Sequence, residues 1–574
     1  MRCLVFYDRC HNVLEKQPAD IQTGALAENV STDEIYPVRY FFTTEDFGRV
    51  AMTGFRTGDI ELNDLKQWNC DRLICGRNMG CGSAREHAAV TLLDAGVRLV
   101  CATSFNSVFR RNLINCGCIP TTSLELAFSE RIDVDAVPDL SADERKIIKN
   151  GGLMACPEFS TTLKNKSQQE RAHQTLVEKI LSDASDTKCS ADDLVTVKPD
   201  LLFFYDIHTP LIKRVLGESP ILHPNVLAFD DHFGGNPEYL NVLKILDDFT
   251  KRNHIRACFT RKKAGGVCHA VILANYARPG QLIVGTDSHT STCGTNCALG
   301  LAVGATDMAV AMKYGKLNIQ VPKSIRVNFC GTLSNNCSMK DVMLYFMCTD
   351  LVSQAKTKGR FLEFDVSGIH PVFYNQLQGL CNMATEAGAW GGIIFSEDSK
   401  QELRPDAEAV YDQEITIDLN RIEPALAFPH NPANYRPLSS ITGPIEIQKA
   451  FIGSCTGGLL DDMEVASTLL KGNIVSRTLQ LFVQPASYAV YKKAAQAGYL
   501  STIEEAGACV LAPGCGGCIG QFPAAIGPGE NGVWNSNRNY QGRIGSAQGS
   551  VYLASTKTVT RAALRGCLSA DLYD

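Results

Sequence analysis

No stretch of the 574-residue chain approaches 18 consecutive apolar residues, so no transmembrane helix is expected. The opening MRCLVFYDRC lacks the basic start, apolar run and small-residue cleavage site of a secretory leader, and we expect a protein that is not secreted. Low-complexity segments and short-period repeats are missing too, which sets aside solenoids and propellers. Strong charge of either sign is lacking: 55 Lys and Arg against 61 Asp and Glu leave a net charge of −6. That balance supplies no field to gather phosphate backbones or anionic lipids, so neither nucleic acid nor membrane is expected as a partner. With 45% hydrophobic and 20% charged residues, the composition is that of a chain that buries large cores. Its length implies several domains.

What the chain has in quantity is cysteine, 23 in all. In a long chain without a leader these imply a reducing compartment, cytoplasm or mitochondrial matrix, and thiols that are mostly buried small hydrophobes. The question is which few are ligands. APGCGGCIGQ places Cys515 and Cys518 in a C-x-x-C turn flanked by glycines. Alone it fits a zinc site, a redox pair, a cluster ligand or chance. A structural zinc would want four protein ligands, often from a second C-x-x-C, and there is none. A thioredoxin-like pair would open a helix in a small βαβ unit. Sixty residues upstream, FIGSCTGGLLDD sets Cys455 in a Ser/Thr/Gly turn after an apolar strand. Three thiolates brought together by glycine-rich loops could bind a [4Fe–4S] cluster with one iron free of protein ligands.

Short apolar runs alternate with helical patterns. VRLVCAT (97–103) and QLIVGTD (281–287) are predicted as buried strands, and SAREHAAVTLLDAG (83–96) and LGLAVGATDMAVAMKYG (299–315) as helices. Such alternation predicts α/β layering with mostly parallel sheets. Ligands then sit at the carboxyl ends of strands, as after Ile74 and Val284. Between Glu158 and Pro199 a polar stretch leads into one amphipathic helix, with Leu176, Ile180 and Leu181 on one face. The expected domains are 1–165, a linker with first helix over 166–198, and 199–574.

Several of these segments, in order, resemble the aconitase superfamily. GGVCHAVILANYARPGQLIVGTDSHTSTCG (265–294), GSCTGG around Cys455, GCGGCIGQ around Cys515 and Cys518, and NSNRNYQGR (535–543) resemble its strand-loop, cluster-ligand and substrate-arginine segments. STDEIYPVRY (31–40) and GRNMGCGSAREHA (76–88) resemble the swivel domain, or small subunit, of isopropylmalate isomerases. The resemblance covers nearly the whole chain but puts the swivel first, as in a fusion of small and large subunits. It implies an α/β fold, with an aconitase-like catalytic region of three subdomains and an N-terminal swivel of β/β/α type. It also implies a [4Fe–4S] cluster on Cys455, Cys515 and Cys518, and a hydro-lyase that removes and re-adds water on a malate-type diacid.

The resemblance assigns Ser83 as the base, although a serine opening a helix is ordinarily an N-cap. Arg85, Arg538 and Arg543, with Ser288, would hold substrate carboxylates, for which guanidinium forks are suited. Asp231 with His232, and His269 with Asp287, would move the proton of the leaving hydroxyl. His289 would be oriented by Glu363 of FLEFD. His208, His223 and His370 are expected to be structural. Phe42, with Phe41, follows the PVRY segment and favours an apolar substituent such as isopropyl or methyl over a carboxymethyl arm. Tyr205, and Gly457 in place of the asparagine of SCTN, argue against aconitase itself, and Ala84 replaces a serine common in the motif. Other expected substrates are citramalate, dimethylmalate, citrate or another substituted malate; a cluster-free RNA-binding regulator is the reading of another class. A monomer or weak homo-oligomer is expected.

Overall fold

The computed structural model describes residues 2–15, 25–41, 43–82, 85–156, 173–232, 239–369 and 374–574. Phe42, Ser83, Ala84 and His370 therefore lie outside the described residues, as does most of the linker before His173.

Four sheets organise the chain. The first joins Cys3–Tyr7, Cys10–Leu14, Arg72–Cys75, Leu99–Ala102 and Ile119–Thr121, parallel apart from the pairing of Cys3–Tyr7 with Cys10–Leu14. The second joins Leu201–Tyr205, Val226–Phe229, Arg256–Cys258, Leu282–Gly285 and Leu299–Ala302, all parallel. The third joins Ser324–Cys330, Phe361–Asp365, Gly391–Phe395 and Gln413–Asp418, again all parallel. The fourth has seven strands, in which Lys449–Ile452, Gln480–Val483, Cys509–Val510, Asn531–Trp534 and Ser550–Leu553 run parallel. Covered on both faces, these strands carry near-continuous apolar runs such as Leu99-Val100-Cys101-Ala102 and Leu282-Ile283-Val284.

The strands expected near 97–103 and 281–287 form as Leu99–Ala102 and Leu282–Gly285, and the helix expected over 83–96 as His87–Asp94. The helix predicted over 299–315 is corrected. Leu299–Ala302 is a strand paired with Leu282–Gly285, and only Ala305–Tyr314 is helical. Gly304 separates them, because a side chain there would run into Glu86 and Asn112. Leu176–Ser185 is the amphipathic helix of the expected boundary; Thr175 and Glu178 form its capping box, and Leu176, Ile180 and Leu181 are buried.

The apolar core under the first sheet runs continuously into that of the second. Polar contacts reinforce the joint. Arg111 clamps Asp307 through Nε and Nη2, each at 2.7 Å, at the first turn of the Ala305–Tyr314 helix. Glu86 accepts from Thr306 N at 2.9 Å and Thr306 Oγ1 at 2.6 Å in the same turn, where acids suit the unpaired N–H groups of a helix start. All 23 cysteines are free thiols and most are buried; Cys10, Cys330, Cys348 and Cys509 are exposed. No helix among the described residues is long and apolar enough to cross a membrane.

Candidate functional site

Five parallel strands end on one cavity. Leu201–Tyr205 delivers Tyr205, Val226–Phe229 leads to His232, and Leu282–Gly285 leads to Asp287 and His289. Lys449–Ile452 leads to Ser454 and Cys455, and Asn531–Trp534 to Arg538 and Arg543. His269, Cys515 and Cys518 line the cavity beside them, and Phe41 and Arg85 enter from the first-sheet unit. Twelve of the fifteen residues singled out from sequence for catalysis, substrate or metal are thereby accounted for around one opening or one contact away, while Phe42 and Ser83 are not described.

The remaining residue, Glu363, is a correction. It sits on the third sheet, where its oxygens accept from Leu176 N at 3.1 Å, Val177 N at 3.0 Å, Ser324 Oγ at 2.8 Å and Tyr411 OH at 2.8 Å. The free N–H groups at the start of the Leu176–Ser185 helix claim this carboxylate. His289 Nε2 instead meets Glu386 Oε1 at 2.9 Å, and Arg538 Nε donates to the same oxygen at 2.6 Å. Glu386 stands in MATEAGAWGG, a lone acid in an otherwise apolar run just before a buried strand, which is the signal that could have found it.

The histidines are held by acids. His232 Nδ1 lies 2.8 Å from Asp231 Oδ1, and His269 Nε2 lies 3.0 Å from Asp287 Oδ1, which also accepts from His289 N at 2.8 Å. Asp231 Oδ2 accepts from Cys268 N at 2.6 Å, which fixes the carboxylate that orients His232. Burial opposes ionisation of Asp287, yet His269, His289 and His232 hold its carboxyl well below the usual range. Burial likewise opposes Glu386, and Arg538 and His289 bring it down to about 2. Burial works against charge on His232, but Asp231, Asp206 and Asp287 outweigh it and push it up to about 9. Tyr205 stacks on the His232 ring at 4.2 Å.

The arginines are placed as forks with spare donors. Arg538 Nη2 donates to Ser288 Oγ at 2.8 Å. Arg85 and Arg543 both pair with Asp33, an acid of the STDEIYP segment that sequence reasoning missed. Arg85 Nε and Arg543 Nε are buried without a partner among the described residues, and both guanidinium groups belong to residues that line the cavity. Phe41 lies under the Arg85 guanidinium at 4.4 Å, which supplies an apolar wall.

The cysteine loops are built by close approach. A side chain at Gly517 would come within 2.1 Å of the Phe451 ring, so the Cys515–Cys518 turn packs directly on the sheet. Ser454, at φ +78°, turns the chain sharply before Cys455. At Gly457 the Asn535 side chain occupies the space of any Cβ, within 2.2 Å. Cys455 Sγ accepts from Asn382 Nδ2 at 3.2 Å and Asn537 Nδ2 at 3.5 Å. Burial pushes the Cys455 thiol up, with Cys518 adding to it; burial does the same to Cys515, with Asp231, Cys518 and Cys455 adding. Three thiols that line one cavity, one already met by N–H donors, suit a shared cation.

Residues 236–402 and 396–566 match the model of the aconitase family (aconitate hydratase), and residues 59–126 match the aconitase C-terminal domain. The chain is 35% identical over 418 residues to the 3-isopropylmalate dehydratase large subunit of Wolinella succinogenes, covering 68% of this chain and 98% of that protein. It is 34% identical over 424 residues to the methanogen homoaconitase large subunit of Methanocaldococcus jannaschii, covering 69% and 100%. Among solved structures, Thermococcus kodakaraensis aconitase X aligns with a TM-score of 0.39 at 14% identity over 70% of this chain and 93% of its own. With a family model matched through both halves of the site and relatives spanned almost end to end, the chain belongs to the aconitase family.

Proposed function

We propose that this aconitase-family hydro-lyase moves water between adjacent carbons of a 2-substituted malate, in the manner of isopropylmalate isomerase. The chain from 199 onward is the catalytic region, and residues 1–165 are the swivel that closes over it. Cys455, Cys515 and Cys518 would hold a [4Fe–4S] cluster, and the donor set fits it. When bound, the cluster supplies a Lewis-acidic iron for a hydroxyl and carboxylate.

The residues of the chain do the rest. Arg538, Arg85 and Arg543 hold the two carboxylates of a diacid, Arg538 kept in place by Glu386 and Ser288. Ser83, assigned from GCGSAREHA, takes the proton next to a carboxylate. His232, held by Asp231, gives a proton to the departing oxygen, and His269 with Asp287 orients it from the other side. Phe41 takes the apolar arm of the substrate.

The observation that carries this reading is the lining of one cavity by three arginines, Arg85, Arg538 and Arg543, together with Cys455, Cys515 and Cys518. The experiment is a panel of hydration and dehydration rates on anaerobically reconstituted protein, with isopropylmalate, citramalate, dimethylmalate, citrate and homocitrate. Highest kcat/KM on a substrate with an apolar arm is expected. Highest kcat/KM on citrate would overturn the substrate reading, and no turnover of any of the five by iron-loaded protein would overturn the reaction.

A further inference from the structure

Lys340 is out of place for its element. It lies in the first turn of the Met339–Met347 helix, where Ser338 caps its backbone N–H, and a cation at a helix start is disfavoured by the peptide dipoles. Its side chain turns inward instead, and Nζ donates to Ser536 O at 2.6 Å and to Asn537 Oδ1 at 3.0 Å.

That contact has a directional consequence. An ammonium can only donate, so the group it meets on Asn537 must be the carbonyl oxygen. Asn537 Nδ2 is thereby turned toward Asn382 Oδ1, at 2.6 Å, and Cys455 Sγ, at 3.5 Å. With its oxygen engaged, Asn382 points Nδ2 at Thr292 Oγ1, at 2.8 Å, and Cys455 Sγ, at 3.2 Å. Thr456 also touches Asn537 Oδ1, but a hydroxyl can donate or accept and would follow either amide orientation. Thr292 Oγ1 gives its proton to His289 O at 2.6 Å and so accepts from Asn382, which anchors the far end of the relay, while Lys340 is the charged anchor of the near end.

We propose that Lys340 is a positioning residue for the cysteine ligands: it anchors the Asn537 end of the relay, as Thr292 anchors the Asn382 end, so that both amides present N–H to the Cys455 sulfur, and it lays a positive charge behind the thiolates. The inference rests on the reading of the three cysteines as ligands of an iron–sulfur cluster. Without the ammonium, the Asn537 amide is oriented by Asn382 alone, and any turn would put an oxygen against a thiolate, which repels it.

The test compares wild-type protein with Lys340→Met and Lys340→Arg, each reconstituted with iron and sulfide under argon and then challenged with EDTA. Iron release is followed by loss of visible absorbance. Lys340→Met should load iron, release it about tenfold faster, the usual scale for loss of a group that orients a metal ligand, and shift the thiolate-to-iron band. Lys340→Arg, which keeps a donor-only cation, should fall nearer wild type. Thermal unfolding of the apoproteins separates this from general loosening, since a purely structural lysine would lower stability without moving the band. Should Lys340→Met fail to fold, Asn537→Asp, which can present only oxygens to Cys455, should show the same faster release. Release and band unchanged in an iron-loaded variant would overturn the relay alone. Wild-type protein that takes up no iron would overturn the cluster reading and the relay together.

Discussion

Glu386, behind the cavity residues His289 and Arg538, and Glu363, at the joint between the third sheet and the Leu176–Ser185 helix, are acids with fully buried side chains in opposite electrostatic settings. Arg538 and His289 surround Glu386 with cationic partners, and against burial they hold it ionised, at about 2. Among the described residues Glu363 meets only dipoles, two backbone N–H groups and two hydroxyls, which do not offset burial, so its carboxyl is pushed up. The charge of the partners, not burial, sets the two acids apart. A carboxylate shared by an imidazole and a guanidinium is kept charged by them, whereas one at a helix start is served by N–H groups, with no full charge beside it among the described residues.

Substitutions can break this contrast. The largest effect is expected for Glu386→Gln, which leaves His289 and Arg538 without their shared acid; kcat should fall about 10³-fold while iron uptake persists. Glu363→Gln should leave kcat within about twofold, and comparable losses in the two variants, measured by steady-state hydration, would erase the distinction. Arg538→Lys gives up the fork that spans Glu386 and Ser288 and should raise KM about tenfold. For Glu363→Gln the effect belongs to stability, roughly 1–3 kcal/mol by denaturant titration of the apoprotein, because an amide cannot accept from all four donors.

The smallest effect sharpens the comparison with a third acid, Glu86. It accepts from Thr306 with no cation beside it among the described residues, and burial pushes it up to about 7. Its folded value lies above the ordinary 4.5, so the native state keeps a proton that the unfolded chain gives up. The associated stability is full below about 4.5 and is lost as pH rises through about 7. Glu86→Gln should flatten that fall in melting-temperature profiles between pH 4.5 and 8, and an unchanged slope would contradict the assignment.

The chemistry-bearing loops were legible because they combine rare residue types with glycine turns. Cys455, Cys515 and Cys518, the Asp–His pairs at 231–232 and 269–287, and the arginines of NRNYQGR could be named before any fold was in hand. The parallel α/β layering was legible from runs such as Leu282-Ile283-Val284, whose apolar continuity is what two-sided burial demands. What failed was pairing across the chain. Glu363 and Glu386 both stand near apolar strands, and only the third sheet's register and the helix start at Leu176 decide which acid reaches His289. Asp33, Asn382, Asn537 and Lys340 carry no local pattern that marks them, since their roles come from partners 52 to 510 positions away in the case of Asp33 and 73 to 197 in the others. The strand at Leu299–Ala302 was hidden by a helical pattern continuing without a break in composition, and a pairing with Leu282–Gly285 overrode it.

The central claim is that the three cysteines act as one ligand set in a hydro-lyase. Iron and sulfide analysis of anaerobically reconstituted wild type and Cys515→Ala, with hydration of the unsaturated diacid measured on the same samples, tests it most directly. About four irons per chain, broad visible absorbance and turnover are expected in the wild type, and loss of all three in Cys515→Ala. A colourless, zinc-only wild type, or a Cys515→Ala protein with full iron and full activity, would contradict it.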